Sequence, residues 1–501
     1  MSVSTNRPTQ PAVSTFDVQD PATGEVVGTY PVHDRHAVDT AVAAAHQAAT
    51  WWRDLGFTGR ARRLDAWRAE IAAGRDELAR IIHREMGKPV SDAELEIAMA
   101  LEHLRWAARN AEKVLGRRTV PSSLLTVNHA ATVEYLPLGV VGVIGPWNYP
   151  VFTPLGSISF ALAAGNAVVF KPSEYTPGVG LWLAEAFTRG CAPDEPVLQV
   201  ITGLGDTGNA LCRSGVGKIG FTGSTATGKL VLAACAENLT PVLMECGGKD
   251  ALIVDADADL DAAADAAVWG GFSNAGQTCL AVERVYVHAD VYDEFLAKLV
   301  AAASRIEAGA ADSKIGPITM PKQLSTIRRH IEDALARGAR AVLGGPQAID
   351  RQFVQPTILV DVPEDAAAVT EETFGPTLTV AKVRDMDEAV ELVNRCAYGL
   401  GGTVFARRNG RDIAERIRAG GISINAFVAH ATIPALPLGG VGASGFGRVH
   451  GPDGLKEFAY AKAMTRQRFP SPLPLTSFRR DHRVDAIVDQ LISILHGRKR
   501  Q

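Results

Sequence analysis

The sequence predicts an α/β protein in which parallel β-sheets are joined by crossover helices. Val140–Ile144 has the β-branched character of a strand, and the apolar runs Ala167–Phe170 and Lys218–Phe221 are each followed by helical sequence. The same order recurs at Ala251–Val254 and Arg284–Val287. A repeated strand–helix order favours a parallel sheet, because parallel neighbours must be joined by a crossover. At 501 residues the chain also exceeds one compact core, so we expect two domains and a smaller third element.

The first part of the chain is predicted to be mainly helical. Val38–Trp52 is rich in alanine and predicted to be a helix, and Arg60–Met86 follows one long helical pattern with Arg and Glu pairs. Leu101–Leu115 is predicted to be another helix. A strand at Thr132–Tyr135 then precedes Val140–Ile144, with a Pro-Leu-Gly turn between the two strands. No internal repeat is found in the sequence.

Composition is that of an ordinary soluble globular protein, with 47% apolar and 21% charged residues. The formal net charge of −4 gives no support for nucleic-acid binding. No stretch reaches the roughly 18 unbroken apolar residues of a membrane span. The six cysteines are scattered without metal-ligand spacing, so we expect free thiols, a cytoplasmic location and no metal site. Residues 1–15 are predicted to form a disordered lead-in.

Cys279, in an Asn-Ala-Gly-Gln-Thr-Cys run, and Glu245, in Glu-Cys-Gly-Gly-Lys, are the candidate catalytic pair. A thiolate can attack a carbonyl carbon and hold it as a covalent adduct, and a carboxylate can activate the water that removes it. If the two side chains converge, the sequence predicts an oxidising or hydrolysing enzyme with a covalent intermediate.

Asn148 follows a predicted strand in the run Gly145–Pro150, directly after Trp147. An asparagine amide braced by two prolines at a strand end could donate to a developing oxyanion. The alternative for an isolated Pro-Trp-Asn run is a rigid turn without a chemical role.

Lys171 and Glu174 also follow a strand, in Lys-Pro-Ser-Glu. A lysine and a carboxylate three residues apart at a sheet edge could hold the two hydroxyls of a ribose, and the carboxylate would repel a 2′-phosphate. The alternative is a helix start that Ser173 caps, with Glu174 in the first turn.

The run Gly220–Lys229 passes from a strand into a helix and contains Gly223 and Ser224. Backbone N–H groups and the Ser224 hydroxyl there could face an anion. The spacing matches neither the dinucleotide fingerprint nor a full P-loop, so a plain strand–helix turn is the alternative.

Glu372 and Phe374 lie in the run Glu371–Pro376. The carboxylate could accept hydrogen bonds from a second ribose, and the phenyl ring could form an apolar wall beside a flat ring. The alternative is a solvated pair of acids before a turn.

These motifs together resemble the aldehyde dehydrogenase superfamily, in that family's order and over about residues 16–469. The matching runs are PWNYP, KPSE, GFTGSTATGK, ECGGK, GQTC, EETFGP and GGVGASGFGR. The resemblance implies oxidation of an aldehyde to a carboxylic acid by NAD, with NADP possible, through a thiohemiacetal and then a thioester.

The resemblance also implies a role for each matching residue. Cys279 corresponds to the nucleophile, Glu245 to the general base and Asn148, with the Cys279 backbone N–H, to the oxyanion donors. The remaining matches would contact the cofactor: Lys171 and Glu174 the adenosine ribose, Ser224 the pyrophosphate, Glu372 the nicotinamide ribose and Phe374 the nicotinamide ring. Trp147 and Gly223 are also expected to bind the cofactor.

The family's architecture predicts the domain boundaries. Residues 16–124 and 141–247 would form the NAD-binding domain, and 248–448 an α/β catalytic domain. Residues 125–140 and 449–470 would form a bridging β-arm, with a late strand near Thr465–Phe469. Because such an arm exposes sheet edges that another subunit covers, we expect a homodimer or homotetramer.

Two departures from the family pattern stand out. Cys246 follows Glu245 where leucine is usual, and we interpret it as a small buried apolar residue; the alternative is a second thiol that traps oxidised Cys279 as a disulfide. Residues 471–501 form an added tail, in which Val484–Leu495 is predicted to be an amphipathic helix before a basic end. We favour packing of this helix on its own dimer over contact with an anionic membrane.

The substrate is predicted from the segment after Pro150. Succinate-semialdehyde enzymes commonly carry an arginine near the position of Gly156, and this stretch contains no cation. The loop Asn425–His430 adds apolar surface and one histidine. We therefore expect an uncharged aliphatic or aromatic aldehyde. Succinate-semialdehyde dehydrogenase and a CoA-acylating aldehyde dehydrogenase remain the alternatives, although Glu245 argues against the second.

Overall fold

A computed structural model describes residues 14–310, 313–471 and 473–497. Most of the predicted lead-in, residues 1–13, lies outside this range, as does the basic end at 498–500. Thr15 already belongs to the first strand, so regular structure begins at the predicted end of the lead-in.

The helices of the described residues are α1 Arg35–Asp54, α2 Gly56–Ala73, α3 Arg75–Met86, α4 Val90–Leu115, α5 Phe152–Ala164, α6 Pro177–Gly190, α7 Gly205–Cys212, α8 Thr225–Ala236, α9 Leu260–Phe272, α10 Tyr292–Ala303, α11 Pro321–Ala336, α12 Ala367–Thr370, α13 Met386–Asn394, α14 Gly410–Arg416, α15 Ala429–Thr432, α16 Gly451–Glu457 and α17 His482–His496.

The strands are β1 Thr15–Gln19, β2 Val26–Pro31, β3 Arg118–Val120, β4 His129–Pro137, β5 Val140–Ile144, β6 Ala167–Lys171, β7 Leu198–Val200, β8 Lys218–Thr222, β9 Val242–Glu245, β10 Asp250–Val254, β11 Val282–His288, β12 Arg340–Leu343, β13 Ile349–Asp350, β14 Phe353–Val354, β15 Thr357–Val360, β16 Thr377–Val383, β17 Gly401–Phe405, β18 Gly421–Ile424, β19 Gly445–Phe446 and β20 Ala459–Gln467.

The first large sheet has the strand order β19-β9-β8-β5-β6-β7. Its pairs from β9 to β7 are parallel, and only β19 runs antiparallel, against β9. The chain passes from β5 outward to β6 and β7, then returns to place β8 on the other side of β5. This change of direction opens a crevice at the carboxyl ends of β5 and β8, where ligands bind in open α/β sheets.

The second large sheet has the order β12-β15-β16-β11-β10-β17-β18 and is parallel except for β12. Its inner strands β10 and β15 are buried along their whole length, so they are mostly apolar rather than alternating. Helices α9 and α10 pack on one face through residues such as Phe272 and Phe295. The α/β class with parallel sheets that the sequence predicts is confirmed.

One predicted helix is in fact two. The pattern at Arg60–Met86 is interrupted at Gly74, which separates α2 from α3. A Cβ atom at Gly74 would lie 2.4 Å from the indole of Trp182, so close packing of α6 requires glycine there. Periodicity alone missed the break because both helices bury the same kinds of residues.

The chain divides into two compact units, and the smaller comprises Leu115–Leu136 and Ala461–Gln501. It contains most of a three-stranded sheet with the order β20-β4-β3. The late strand begins at Ala459, earlier than expected, because the chain leaves α16 almost directly into β20. The predicted tail helix is confirmed as α17, where Val484 is buried while Ile487, Ile492 and Leu495 are exposed. Among the described residues, no helix combines the length and apolarity needed to cross a membrane.

Candidate active site

Cys279 and Glu245 converge. The Cys279 thiol lies 3.9 Å from Glu245 Oε1 and can donate to it. Glu245 is the last residue of β9, and its second oxygen accepts a 3.4 Å hydrogen bond from the Thr222 hydroxyl at the end of β8. The C-terminal ends of two neighbouring parallel strands therefore fix the orientation of the Glu245 side chain.

Cys279 is positioned by a turn that ordinary residues avoid. Asn274, Ala275 and Gly276 all have φ between 52° and 70°. The buried Gln277 holds this turn from both sides: its amide donates to Asn274 O, and its Oε1 accepts the Thr319 N–H at 2.8 Å. Asn274 and Ala275 store backbone strain that this packing must offset, whereas Gly276 adopts its positive φ without strain.

Burial controls both protonation states. It raises the pKa of Glu245 to about 7, so this carboxyl exchanges protons near neutrality. Burial also raises the pKa of the Cys279 thiol well above its usual value, and Glu245, Asp250 and Glu372 raise it further. The charged groups that shift the pKa of this thiol are thus carboxylates, so activation of the thiol depends on a base rather than on a cation.

Asn148 is buried at the carboxyl end of β5. Its amide nitrogen donates to Gln277 O at 2.9 Å, which leaves the second amide proton available. The main-chain carbonyl oxygen of Asn148 accepts from the Lys88 ammonium at 2.8 Å and from the Asn274 side-chain amide at 3.1 Å. Asn148 is therefore tied to the turn that carries Cys279.

Lys88 and Glu96 are site residues that the sequence reasoning missed. They form a buried ion pair, and Glu96 Oε1 also accepts the N–H groups of Val151 and Phe152 at 2.8 and 3.0 Å. A signal was present, because Glu96 is a carboxylate on the buried and mostly apolar stripe of α4. A charge on such a stripe is rarely fully buried unless it is paired.

A cavity of about 1080 Å³ follows the carboxyl ends of the first sheet. Nine of the predicted site residues line it: Trp147, Asn148, Lys171, Glu174, Gly223, Ser224, Cys279, Glu372 and Phe374. Residues from both halves of the chain therefore meet in one crevice. Its size suits an extended ligand of dinucleotide dimensions.

The Lys171 and Glu174 motif does not start a helix. Helix α6 begins at Pro177, so the alternative in which Ser173 caps it is wrong. Lys171 is buried, and its ammonium lies 4.0 Å from Glu174 Oε2. Burial lowers the pKa of Lys171. Glu174 remains partly exposed at the cavity edge and can meet a ligand there.

Ser224 does cap a helix. Its hydroxyl oxygen accepts the Thr227 N–H at 3.2 Å at the start of α8. The helix start nevertheless lines the large cavity, and the first N–H groups of a helix favour an anion. The motif can therefore form a strand–helix turn and an anion site at the same time.

Glu372 is not a solvated acid. Its Oε1 accepts the Gly248 N–H at 3.0 Å, and burial together with the charge of Glu283 raises its pKa to about 8. Glu283, paired with the buried Lys249, also accepts the Phe374 N–H at 3.0 Å. The Phe374 ring stands edge-on to Trp147, with ring centres 5.7 Å apart.

A second cavity, of about 240 Å³, lies on the other side of the thiol, and Cys279 lines both cavities. Most of its wall is apolar, from Leu95, Met99, Phe152, Trp269, Leu280, Phe427 and Leu438. Phe427 belongs to the loop that the sequence singled out. His430 does not line the cavity, because its ring bonds to the Ser423 hydroxyl at 3.0 Å. His450, which the sequence reasoning missed, lines it instead.

Cys246 is buried on the wall of the large cavity beneath α8. A Cβ atom on Gly228 would lie 3.1 Å from its sulfur, so the thiol fills the space above that glycine. Burial raises the pKa of Cys246 to about 11, which keeps the thiol protonated at neutral pH. This placement agrees with a packing role. Every cysteine in the chain is free, and no cluster of metal-binding side chains occurs within the described ranges.

The comparisons with known proteins agree on one family. The aldehyde dehydrogenase family model matches residues 9–464. The chain is 36% identical over 465 residues to the 4,4′-diapolycopene aldehyde oxidase of a Methylomonas species, covering 91% of this chain and 87% of that protein. It is 37% identical over 459 residues to the glutarate-semialdehyde dehydrogenase of Pseudomonas putida, covering 89% and 93%.

A solved structure of an E. coli NADP-dependent enzyme superposes with a TM-score of 0.87 at 36% identity, covering 91% of this chain and 95% of that one. The chain therefore belongs to the aldehyde dehydrogenase family. It is an oxidoreductase that oxidises an aldehyde to a carboxylic acid, with NAD or NADP as the hydride acceptor.

Proposed function

We propose that Cys279 is the nucleophile, Glu245 the general base and Asn148 an oxyanion donor in the oxidation of an uncharged aldehyde. The observation that carries this proposal is the 3.9 Å approach of the Cys279 thiol to Glu245 Oε1 at a point that borders both cavities. A reacting carbon there is within reach of the thiol, the carboxyl group and a bound nucleotide.

The reaction starts with proton transfer. Glu245 accepts the thiol proton, and the Cys279 sulfur attacks the carbonyl carbon to form a C–S bond. The carbonyl oxygen becomes an oxyanion, which the available Asn148 amide proton and the Cys279 N–H stabilise. A nicotinamide held between Phe374 and Trp147 would supply the hydride acceptor for that carbon. Loss of the hydride would let the oxygen re-form its double bond to carbon and would leave a thioester on Cys279.

Glu245 acts again in the second half. After Glu245 has released the thiol proton to solvent, its carboxylate takes a proton from a water molecule, and the resulting hydroxide adds to the thioester carbon. Collapse of this adduct breaks the C–S bond, the sulfur recovers the proton held by Glu245, and the carboxylic acid leaves. A pKa near 7 suits both steps, because a base is most effective when its pKa lies close to the working pH.

The large cavity supports a cofactor assignment for the residues along it. Lys171 and Glu174 would hold the adenosine ribose, Gly223 and Ser224 the pyrophosphate at the start of α8. Glu372 would hold the second ribose, and Phe374 and Trp147 would flank the nicotinamide ring. We propose that NAD is preferred over NADP, because the Glu174 carboxylate would repel a 2′-phosphate.

The small cavity supports an uncharged substrate. Lys88 lines it, but its ammonium is already paired with Glu96 and bonded to Asn148 O. Asp92, also in the wall, would repel a carboxylate. The Pseudomonas relative acts on a semialdehyde, which carries such a carboxylate. In this chain the wall offers no uncommitted Lys or Arg to pair with it among the described residues.

We further propose the architecture implied by the family. Residues 16–124 and 141–247 form the cofactor-binding domain, 248–448 the catalytic domain, and 125–140 with 449–470 an oligomerisation arm. The short sheet of β3, β4 and β20 supports the arm, since a partner strand could extend its edge. We propose a cytoplasmic homodimer or homotetramer in which the exposed apolar face of α17 packs on the same assembly.

The purified enzyme tests this proposal directly. It is incubated with NAD or NADP and a panel of hexanal, benzaldehyde, succinate semialdehyde and glutarate semialdehyde, and NADH or NADPH absorbance is followed with and without CoA. We expect the uncharged aldehydes to be the better substrates, NAD the better cofactor and free acid the product. Preference for a semialdehyde would overturn the substrate assignment, and a CoA thioester product would overturn the hydrolytic role of Glu245.

A further inference from the structure

His450 is a buried polar side chain on the wall of the substrate cavity. It is 2% exposed and lines the small cavity together with Cys279. Its ring lies over Gly156, where a Cβ atom would stand 2.8 Å from His450 Nε2. The imidazole therefore fills the space that a side chain at position 156 would occupy, in the segment predicted to select the substrate.

One ring nitrogen of this imidazole has no hydrogen-bond partner within the described part of the chain. Nδ1 is buried without a partner, and the ring's neighbours are the rings of His103, Phe152 and Phe160. Burial and the nearby His103 lower the pKa of His450 well below its usual value, so the ring is neutral. A neutral imidazole still carries one N–H donor and one nitrogen acceptor, and leaving these unpaired is unfavourable.

The backbone at this position is also unusual. His450 has φ of +64° and ψ of 168°, a combination outside the left-handed helical region that a residue with a Cβ atom adopts only when its surroundings impose it. The next residue, Gly451, has φ of +60°. Strained residues of this kind cluster where a side chain must be held at a functional position.

We propose that His450 is a specificity-determining residue that hydrogen-bonds to a neutral hydroxyl group on the aldehyde substrate. This inference rests on the aldehyde oxidation proposed above and narrows its substrate class to uncharged hydroxyaldehydes. The hydroxyl would lie on a carbon remote from the aldehyde, since Cys279 must reach the carbonyl carbon while the imidazole contacts the second oxygen.

The chemistry of a neutral imidazole favours a hydroxyl over other oxygen groups. A hydroxyl can donate or accept, so it pairs with either ring nitrogen and with either tautomer. A carboxylate would need a compensating charge in this wall, and the neighbouring Lys88 is committed to Glu96. An aldehyde that lacks the hydroxyl leaves the imidazole without this hydrogen bond, which lowers the relative efficiency of that aldehyde.

Pairs of aldehydes with matched size test the proposal. Values of kcat/KM are compared for 4-(hydroxymethyl)benzaldehyde against 4-ethylbenzaldehyde, and for 6-hydroxyhexanal against heptanal. We expect the wild-type enzyme to prefer the hydroxylated member of at least one pair by about tenfold, the ratio that one hydrogen bond supplies. Equal efficiency in both pairs would overturn the proposal, whereas oxidation of no aldehyde would overturn the proposed function itself.

Two variants separate recognition from packing. His450→Leu should abolish the preference while still oxidising the alkyl members. His450→Asn, whose amide can still hydrogen-bond, should retain part of the preference. A preference that survives in His450→Leu, or that is lost equally in both variants, would overturn the role.

A measurement on the unaltered enzyme covers the case in which His450→Leu does not fold. Inhibition by 4-(hydroxymethyl)benzyl alcohol is compared with inhibition by 4-ethylbenzyl alcohol, with the aldehyde as the varied substrate. The hydroxylated alcohol should bind about tenfold more tightly for the same reason. Equal or weaker binding of that alcohol would contradict the proposal.

Discussion

Lys88 and Glu96 form a fully buried ion pair beneath the loop that carries Asn148. The side chains are 1% and 0% exposed. Glu96 holds the N–H groups of Val151 and Phe152, and Lys88 holds the carbonyl oxygen of Asn148 itself. The proposed oxyanion donor is therefore anchored to α4, a helix that the sequence motifs did not connect with catalysis.

Lys88→Met should destabilise the fold, because Glu96 would keep a buried charge without its cation. Removing one partner of a buried pair costs about 3–5 kcal/mol in the free energy of unfolding. Urea denaturation of the wild type, Lys88→Met and the double variant Lys88→Met/Glu96→Gln measures this. The double variant should recover part of the loss. An unchanged free energy of unfolding in Lys88→Met would show that the pair is not coupled as described.

Cys279→Ala should abolish NADH formation, since no other thiol lies within hydrogen-bonding distance of Glu245 in the described structure. Cys246→Ala is the matched control on the wall of the large cavity, and it should keep activity within about threefold of the wild type because its protonated thiol has no chemical role. Both rates are measured with the same aldehyde and saturating cofactor. If Cys246→Ala is as inactive as Cys279→Ala, the interpretation of Cys246 as a packing residue is wrong.

Glu245→Gln should slow acid release more than hydride transfer. The amide cannot accept a proton from water, so the thioester on Cys279 should accumulate after a first turnover. Rapid-mixing experiments should then show one equivalent of NADH per site followed by a steady state slower by about 10²–10⁴-fold. A normal steady-state rate would exclude Glu245 as the base for hydrolysis.

Turnover should rise as the pH is raised through about 7, the value to which burial brings the Glu245 pKa. Below that pH the carboxyl is protonated and cannot accept a proton; above it the carboxylate is the active form. The same group lowers the stability of the fold as the pH rises. Because folding raises the pKa of this carboxyl, the folded state holds the proton more tightly than the unfolded chain, and the free energy of unfolding falls as that proton is lost. The pH profile of kcat should show this rise in the wild-type enzyme, and the rise should be absent in Glu245→Gln.

Glu174→Gln should improve the use of NADP relative to NAD. The substitution removes a negative charge from the cavity edge while keeping a hydrogen-bonding group for the ribose. We expect kcat/KM with NADP to rise roughly tenfold, because removing the repulsion between two charges near a protein surface is worth about 1.4 kcal/mol. Ala233→Ser, a small change elsewhere on the same cavity wall, serves as the control. An unchanged cofactor ratio would show that Glu174 does not select against the 2′-phosphate.

The parallel sheets and the cofactor crevice were predictable because their signals are local. Each strand of the first sheet is a short apolar run, and chemistry-bearing residues such as Lys171 and Glu245 stand at or just after the carboxyl ends. In a parallel sheet those ends share one edge, so sequence order already implies proximity. The meeting of Cys279 with Glu245 followed from motif order rather than from any single pattern.

The remaining features depend on contacts that sequence patterns do not encode. The break at Gly74 is required by the indole of Trp182 from another helix. The burial of Lys88 depends on Glu96, and the exclusion of His430 from the cavity depends on Ser423. His450 stood in a glycine-rich run with no periodicity, and only the folded chain places it above Gly156.

Cys279 borders two separate cavities, and this divides inhibitors of the enzyme into kinetic classes. A compound confined to the small cavity should compete with the aldehyde, and one confined to the large cavity should compete with the nucleotide. A molecule long enough to pass the thiol should compete with both. We propose that the large cavity accepts a nucleotide that many dehydrogenases share, whereas Phe152, Phe427 and His450 line the small cavity. Selective inhibition of this enzyme is therefore best sought on the aldehyde side of Cys279.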